Sequence, residues 1–219
     1  MKSDKDIEFN KNYWDEFYAT WNRLTPSQFC VSVITELPLD VVVVELGSGN
    51  GRDAHYFASQ GHITVAMDLS HQAIESCKEQ VAQINNIDHA TFFQGDLTDE
   101  AAIEKVIKSA RALAEDKRIV FYSRFIIHSL GDDQEVIFLK LISERMQSGE
   151  MIYFEFRSKE DAKITKHYKG HFRRYVDTSV FKKRLLKFGF NIEYSITGQG
   201  MAKFKEEDPF VCRITAVKM

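Results

Sequence analysis

The feature that most constrains this chain is a run of four valines that ends in a glycine cluster. Val41–Leu46 is β-branched and apolar almost throughout, and Gly47, Gly49 and Gly51 follow it at alternate positions. Branching at Cβ stiffens a side chain and favours an extended backbone. A short, continuously apolar run of this kind reads as a strand covered on both faces, as in a parallel sheet packed between helices. Alternate glycines let the chain turn sharply and let a ligand lie against the main chain.

The remaining sequence repeats the theme. Further strands are expected at Ile63–Met67, Ala90–Gln94, Arg118–Ser123 and Met151–Phe156. Between them helices are expected at Asp53–Gln60 (stopped by Gly61), from a Ser70 cap to about Ile84, and at Asp99–Ala114, where Ala102, Val106, Ala110 and Leu113 share a face. Two more fit Asp132–Met146, with Val136, Leu139, Leu141 and Ile142 apolar, and Thr178–Phe188, with Gly189 as its C′ residue. Asn12–Trp21 and Pro26–Leu37 also read as helices, the second with Pro26 at N1. Asn191–Thr197 and Val211–Lys218 have no helix between them and should pair antiparallel at one edge. Alternating strands and helices define an α/β fold with a mostly parallel sheet and helices on both faces.

Composition narrows the partners. The 219 residues carry 29 Lys and Arg against 32 Asp and Glu, a net charge of −3. That balance gives no general reason to expect nucleic acid or an anionic membrane. Apolar runs last about four residues, far short of the roughly 20 of a membrane helix, and residues 1–10 lack the apolar centre of a secretory signal. Cys30, Cys77 and Cys212 are too few and scattered for a disulfide framework or zinc site. Cys30 and Cys77 read as packing residues, and a reducing, cytoplasmic setting is expected. The charge is uneven, however: residues 151–190 hold 11 Lys and Arg against 4 Asp and Glu.

Ligands of open α/β sheets bind at the carboxyl ends of the strands. Asp68 ends the second strand, where a carboxylate can accept both hydroxyls of a ribose. A dinucleotide fingerprint would place a small residue at position 52; Arg52 stands there, and the third glycine comes one residue early. Glu45, just before the first glycine, would repel a diphosphate and attract a sulfonium or α-ammonium. The pattern therefore disfavours a nicotinamide oxidoreductase and favours S-adenosylmethionine.

With these residues in view, the chain resembles the class I S-adenosylmethionine-dependent methyltransferases over nearly its whole length. Glu45–Asp53 matches their first motif, Met67–Ser70 the ribose-binding acidic turn, and Gln94–Leu97 the turn after the third strand. The resemblance implies a single Rossmann-like domain over 1–219, with seven strands, the last antiparallel. It implies that Glu45, Gly47, Gly49, Gly51, Arg52, Asp53, Asp68 and Leu69 hold the cofactor, that Asp96 and the Leu97 amide hold its adenine, and that Ser123 lies in the fourth-strand motif beside the methyl. That motif is Tyr122-Ser123-Arg124-Phe125. It lacks the [Asn/Asp]-Pro-Pro-[Tyr/Phe] pattern of many base amino-methyltransferases.

Locally the chain is similar to small bacterial tailoring methyltransferases, often associated with surface polysaccharide, and more distantly to the tellurite-resistance and thiopurine types. The matching segments are Tyr13–Phe17, Pro26–Phe29, Arg124–His128, Arg173–Asp177 and Asp208–Arg213. The likeness implies that residues 1–38 form a helical lid. Its aromatics Tyr13, Trp14, Phe17, Tyr18 and Trp21 would fold over the cofactor, Tyr13 and Trp14 in contact with it.

The residues suggest where chemistry could lie. Arg124 and His128 are one helical turn apart, so on a helix they would share a face. His128 is a candidate base or orienting donor, and Arg124 a candidate for binding an acceptor oxygen. Arg157, His167, His171, Arg173, Arg174 and Tyr175, on a basic insert at about 157–176, are candidates for an anionic acceptor. Their competing reading is a solvated loop. No histidine spacing demands a metal. The favoured reading is O-methylation of an anionic or sugar-type small molecule. The alternatives are a metalloid or thiol methyltransferase and a non-catalytic S-adenosylmethionine-binding protein.

Overall fold

The computed structural model describes residues 4–21, 23–83, 89–168 and 170–219. Seven strands form a sheet: β1 (Val41–Leu46), β2 (Ile63–Asp68), β3 (Ala90–Gln94), β4 (Arg118–Arg124), β5 (Met151–Arg157), β6 (Phe190–Gly198) and β7 (Val211–Lys218). Their order is β3-β2-β1-β4-β5-β7-β6. β1 is parallel to β2 and β4, and β2 to β3. β7 is antiparallel to both β5 and β6. This is the Rossmann-like methyltransferase sheet expected from the sequence. The helices are α1 (Asp4–Thr20), α2 (Gln28–Ile34), α3 (Arg52–Ser59), α4 (His71–Gln83), α5 (Glu100–Ala114), α6 (Asp132–Ser143) and α7 (Thr178–Lys187). No described helix is long and apolar enough to cross a membrane.

The chain divides into two compact units, Met1–Tyr122 and Ser123–Met219. In the first, all of β1 is buried, as a strand flanked by two parallel neighbours and packed by helices requires. α5 begins at the Asp99 cap, whose carboxylate accepts from the Ala101 N–H at 2.9 Å. Its buried face is Ile103, Val106, Ile107, Ala110 and Ala114. This corrects the expected stripe: Leu113 is 40% exposed, because the larger side chains of Ile103 and Ile107 set the inward direction. α2 also begins later than expected. Ser27 is its cap, with the Cys30 N–H donating to its hydroxyl at 3.0 Å, so Pro26 precedes the cap instead of occupying N1. The end of α4 near Ile84 lies outside the described residues.

In the second unit, α6 buries Glu135, Phe138, Leu139, Leu141 and Ile142, while Val136, expected inside, is exposed. α7 starts at Asp177, which accepts from the Ser179 and Val180 N–H groups. It ends at Gly189, whose φ of +77° suits the left-handed residue after a helix. Phe181 packs against Phe154 and Phe156 of β5.

Candidate functional site

The glycine loop is built by β2. The N–H groups of Gly47 and Ser48 both donate to the Met67 carbonyl at 2.9 Å. The Gly49 N–H donates to Asp68 Oδ2 at 2.8 Å and the Ser70 N–H to Oδ1 at 2.9 Å. Asp68 thus orients the loop before any ligand is considered. Gly49 and Gly51 are left-handed, with φ of +54° and +73°, and they are crowded for different reasons. A Cβ on Gly51 would stand 2.7 Å from Cys77 Sγ and 2.9 Å from Phe92 Cε1, so that glycine serves the packing of α3. A Cβ on Gly49 would overlap the Tyr18 hydroxyl and stand 2.7 Å from Tyr18 Cζ.

Glu45 is buried at the end of β1. The Ala54 N–H donates to its carboxylate, while Oε2 is buried with no hydrogen-bond partner. Burial, reinforced by Asp53 and opposed by Arg52, raises its pKa well above the usual carboxylate value.

Asp53 has a different role from the one expected. It accepts from the Ser27 N–H (2.6 Å), the Ser27 hydroxyl (2.7 Å) and the Tyr122 hydroxyl (2.9 Å). Its carboxylate clasps α2, α3 and β4, and Phe29 and Phe57 pack on the Tyr122 ring at 5.1 and 5.2 Å. Asp53, expected among the cofactor ligands, thus spends its carboxylate on Ser27 and Tyr122 in this structure. Arg52 Nε lies 3.8 Å from Asp53 Oδ1. α2 is therefore anchored, which leaves α1 as the helix that the lid expectation concerns.

On α1 and just after it the aromatic rings pack on one another: Tyr13 meets Trp14 edge to face at 5.1 Å, Phe17 stacks on Trp21 at 5.2 Å and Trp14 on Tyr18 at 6.0 Å. Asp15 accepts from the Ser70 hydroxyl at 2.6 Å and the Gln72 N–H at 3.2 Å, tying α1 to the start of α4. Tyr18 is set over the glycine loop. Nothing in the sequence separates it from its neighbours except its phase on the helix. After β3, Asp96 Oδ1 accepts from the Thr98 N–H (2.7 Å) and hydroxyl (2.8 Å). Leu97 is buried and Leu69 partly so.

In the second unit, Ser123 is buried in β4. Arg124 ends that strand and donates to Glu155 Oε1 at 2.8 Å, and Arg213 donates to Glu155 Oε2 at 2.7 Å. His128 lies in a short 3-10 turn, Ile127–Ser129. Between it and Arg124 stands Phe125 at φ +61°, so the shared helical face expected of Arg124 and His128 does not exist. His128 is buried. Its Nδ1 accepts from the Arg157 N–H at 3.1 Å, which puts the proton of the neutral ring on Nε2. Burial, then Arg157, Arg173, His171 and Arg124, push its pKa well below the histidine range.

The basic segment is largely neutralised by carboxylates of the second unit. Arg157 pairs with Asp161 at 2.8 Å and Glu207 at 2.5 Å, and Lys166 with Asp161 at 2.8 Å. Arg174 pairs with Asp132 at 2.6 Å and with Glu135, which also takes Arg184 at 2.5 Å. The His167 N–H donates to Glu207 at 2.7 Å, and its ring meets Lys205 Nζ at 3.1 Å. Tyr175 lies 5.4 Å from Lys166 Nζ. Arg157 is buried and Arg174 partly buried, and both are ion-paired, so neither presents the open cationic face expected of it. Arg173 Nη2 meets His171 Nε2 at 2.8 Å, and no carboxylate lies within ion-pair distance of Arg173 among the described residues.

Residues 43–131 match the model of a methyltransferase domain family. No curated protein matches the chain in sequence. The fold is shared with the glycopeptide N-methyltransferase MtfA solved with S-adenosylmethionine: 18% identity, 89% of this chain and 95% of that one, TM-score 0.67. It is shared with the CcbJ methyltransferase from Streptomyces caelestis: 13% identity, 99% and 100% coverage, TM-score 0.69. A methyltransferase from Anabaena variabilis gives 12% identity, 95% and 93% coverage and a TM-score of 0.70.

The fold is the one these methyltransferases share, and the match to the methyltransferase-domain family covers residues 43–131, which contain the glycine loop.

Proposed function

We propose that the first unit holds S-adenosylmethionine through Glu45, the Gly47–Gly51 loop, Asp68, Asp96 and the Leu97 amide, with α1 over it. We propose further that the enzyme methylates an oxygen of an anionic or sugar-type small molecule. The observation that carries the cofactor assignment is Glu45: a buried carboxylate with one oxygen lacking a partner is suited to a cation and hostile to a phosphate. Left-handed glycines beside it leave the main chain open to close approach, and Asp68, which accepts from the Gly49, Ser70 and Leu69 N–H groups, retains acceptor capacity for a ribose hydroxyl.

When bound, the cofactor supplies an electrophilic methyl group on a sulfonium. The chain has to orient the acceptor and exclude water. His128 fits the role of donor better than that of base, because its Nδ1 lone pair is already engaged and its Nε2 carries the proton. A carboxylate or phosphate oxygen needs no base, so the oxyanion acceptor and the donor histidine are mutually consistent. The same observation gives some support to a soft thiol or metalloid acceptor, which also needs no base.

Calorimetric titration of the full chain with S-adenosylmethionine, S-adenosylhomocysteine and NAD tests the cofactor reading. Both adenosyl ligands are expected to bind and NAD to give no heat. NAD binding alone would overturn it. For the acceptor, faster cofactor turnover with selenite or thiols than with anionic sugars would replace the O-methyl reading by the alternative.

A further inference from the structure

The first unit carries a side chain on the ground where its glycine loop would meet a ligand. The space over Gly49 exists because that residue has no Cβ, and the Tyr18 ring fills it. A Cβ built there would overlap the hydroxyl and stand 2.7 Å from Cζ and 3.0 Å from Cε1. A ligand atom in contact with the same main chain needs about 3.5–4.0 Å from its neighbours. The ring and a ligand therefore exclude each other at this point. Burial, then Asp68, raises the pKa of the hydroxyl, with Glu45 acting in the same direction and Arg52 against it. The phenol thus stands, protonated, among the residues proposed above to hold the cofactor.

What keeps Tyr18 there is α1, not a bond to the loop: its hydroxyl makes no hydrogen bond among the described residues. Asp15 lies one helical turn before Tyr18, on the same side of α1. It accepts from the Ser70 hydroxyl at 2.6 Å and the Gln72 N–H at 3.2 Å. Ser70 belongs to the turn that orients the loop through Asp68. Over residues 11–20, α1 places no residue in the core. The chain that follows is fixed: Asn50 Nδ2 donates to the Arg23 carbonyl at 3.0 Å, and Asp53 clasps Ser27. A helical segment with no buried residue, standing on a fixed base and latched by one carboxylate, belongs to the parts of a fold that open first.

We infer that Tyr18 is a gate on the cofactor site: with α1 placed as it is, the ring bars Gly49 to a ligand, and binding requires α1 to carry the ring away. That the gated ligand is S-adenosylmethionine rests on the function proposed above; the exclusion at Gly49 does not. Asp15 is the latch, and the apparent affinity is lowered by the fraction of molecules in which the gate is shut.

The test is stopped-flow association of S-adenosylhomocysteine with the full chain, followed by tryptophan fluorescence, since Trp14 stacks on Tyr18. Tyr18→Ala should associate at least about tenfold faster than the wild type, the gain expected when the open form is at most about 10% populated. Asp15→Ala keeps the ring and removes its latch, and it should also associate faster, by a smaller factor. Glu16→Ala, at an exposed position of the same helix, should leave the rate unchanged. Association of Tyr18→Ala no faster than the wild type overturns the inference. If Tyr18→Ala does not fold, Asp15→Ala decides by the same criterion. Binding of S-adenosylhomocysteine at unchanged rates overturns this inference alone. Its failure to bind the wild type and the variants alike overturns the cofactor reading, and this inference with it.

Discussion

The Tyr18 hydroxyl stands over Gly49, at the place where a side chain on that residue would begin. One helix of the first unit and one residue of its glycine loop therefore define each other's space. Gly49→Ala meets two penalties, the overlap with Tyr18 and a left-handed backbone at φ +54°, which costs a non-glycine residue about 1–2 kcal/mol. Gly49→Ala should lower both the melting temperature and the affinity for S-adenosylhomocysteine. Gly49→Ala with Tyr18→Phe should recover part of each, because the hydroxyl overlap is removed and the backbone strain is not. Thermal melts and calorimetry on the three variants check this. Equal defects in the single and double variants would show that Tyr18 does not limit the loop.

Glu45 should make cofactor affinity depend on pH. Burial raises its pKa, so at low pH the carboxyl is neutral and attracts no cation. Affinity for S-adenosylmethionine should rise with pH as the group ionises, by up to about tenfold per unit below its pKa. The window of pH 5 to 7 keeps the ligand's own amine charged, since α-amino groups titrate near 8. Glu45→Gln should bind weakly and show no such slope. Dissociation constants across that window provide the measurement.

Asp53 should matter for stability. Tyr122→Phe removes one hydrogen bond and should cost about 1 kcal/mol. Asp53→Asn weakens three and should cost about 2–3 kcal/mol. The double variant should cost less than the two combined, because both changes break the same contact. Urea denaturation gives all three values, and strict additivity would refute a shared network.

Acid should destabilise the first unit through His55. Its ring is buried beside Phe92, 5.0 Å between centroids, and burial lowers its pKa to about 4. The unfolded chain takes up a proton near pH 6.5 and the folded one only near pH 4, so stability falls as the pH drops between those values. At pH 5 the loss is about 2 kcal/mol. His55→Leu should remove this share of the acid sensitivity, read as the difference in urea midpoint between pH 7 and pH 5.

The sheet was legible because it is written locally: four valines, an alternation of strand and helix, and caps such as Ser70 and Asp99 lie within a few residues of what they control. The glycine turn after β1 was legible for the same reason. The basic segment misled because its neutralising partners are remote. Glu207 lies 50 residues after Arg157, and Asp132 and Glu135 lie about 40 before Arg174. The Asp53–Tyr122 clasp spans 69 residues. Periodicity cannot reveal a pairing made by the fold, and a carboxylate beside a glycine loop looks the same whether it meets a ligand or a tyrosine.

The position of β7 has a consequence for how the chain is made. The last strand in sequence lies between β5 and β6, both synthesised earlier. Until residues 211–218 emerge from the ribosome, β5 lacks one neighbour and β6 has none. During that interval Glu155 also waits for Arg213, 58 residues further on. The second unit is therefore completed only when β7 inserts, and until then β5 and β6 expose open strand edges of the kind that recruit other chains.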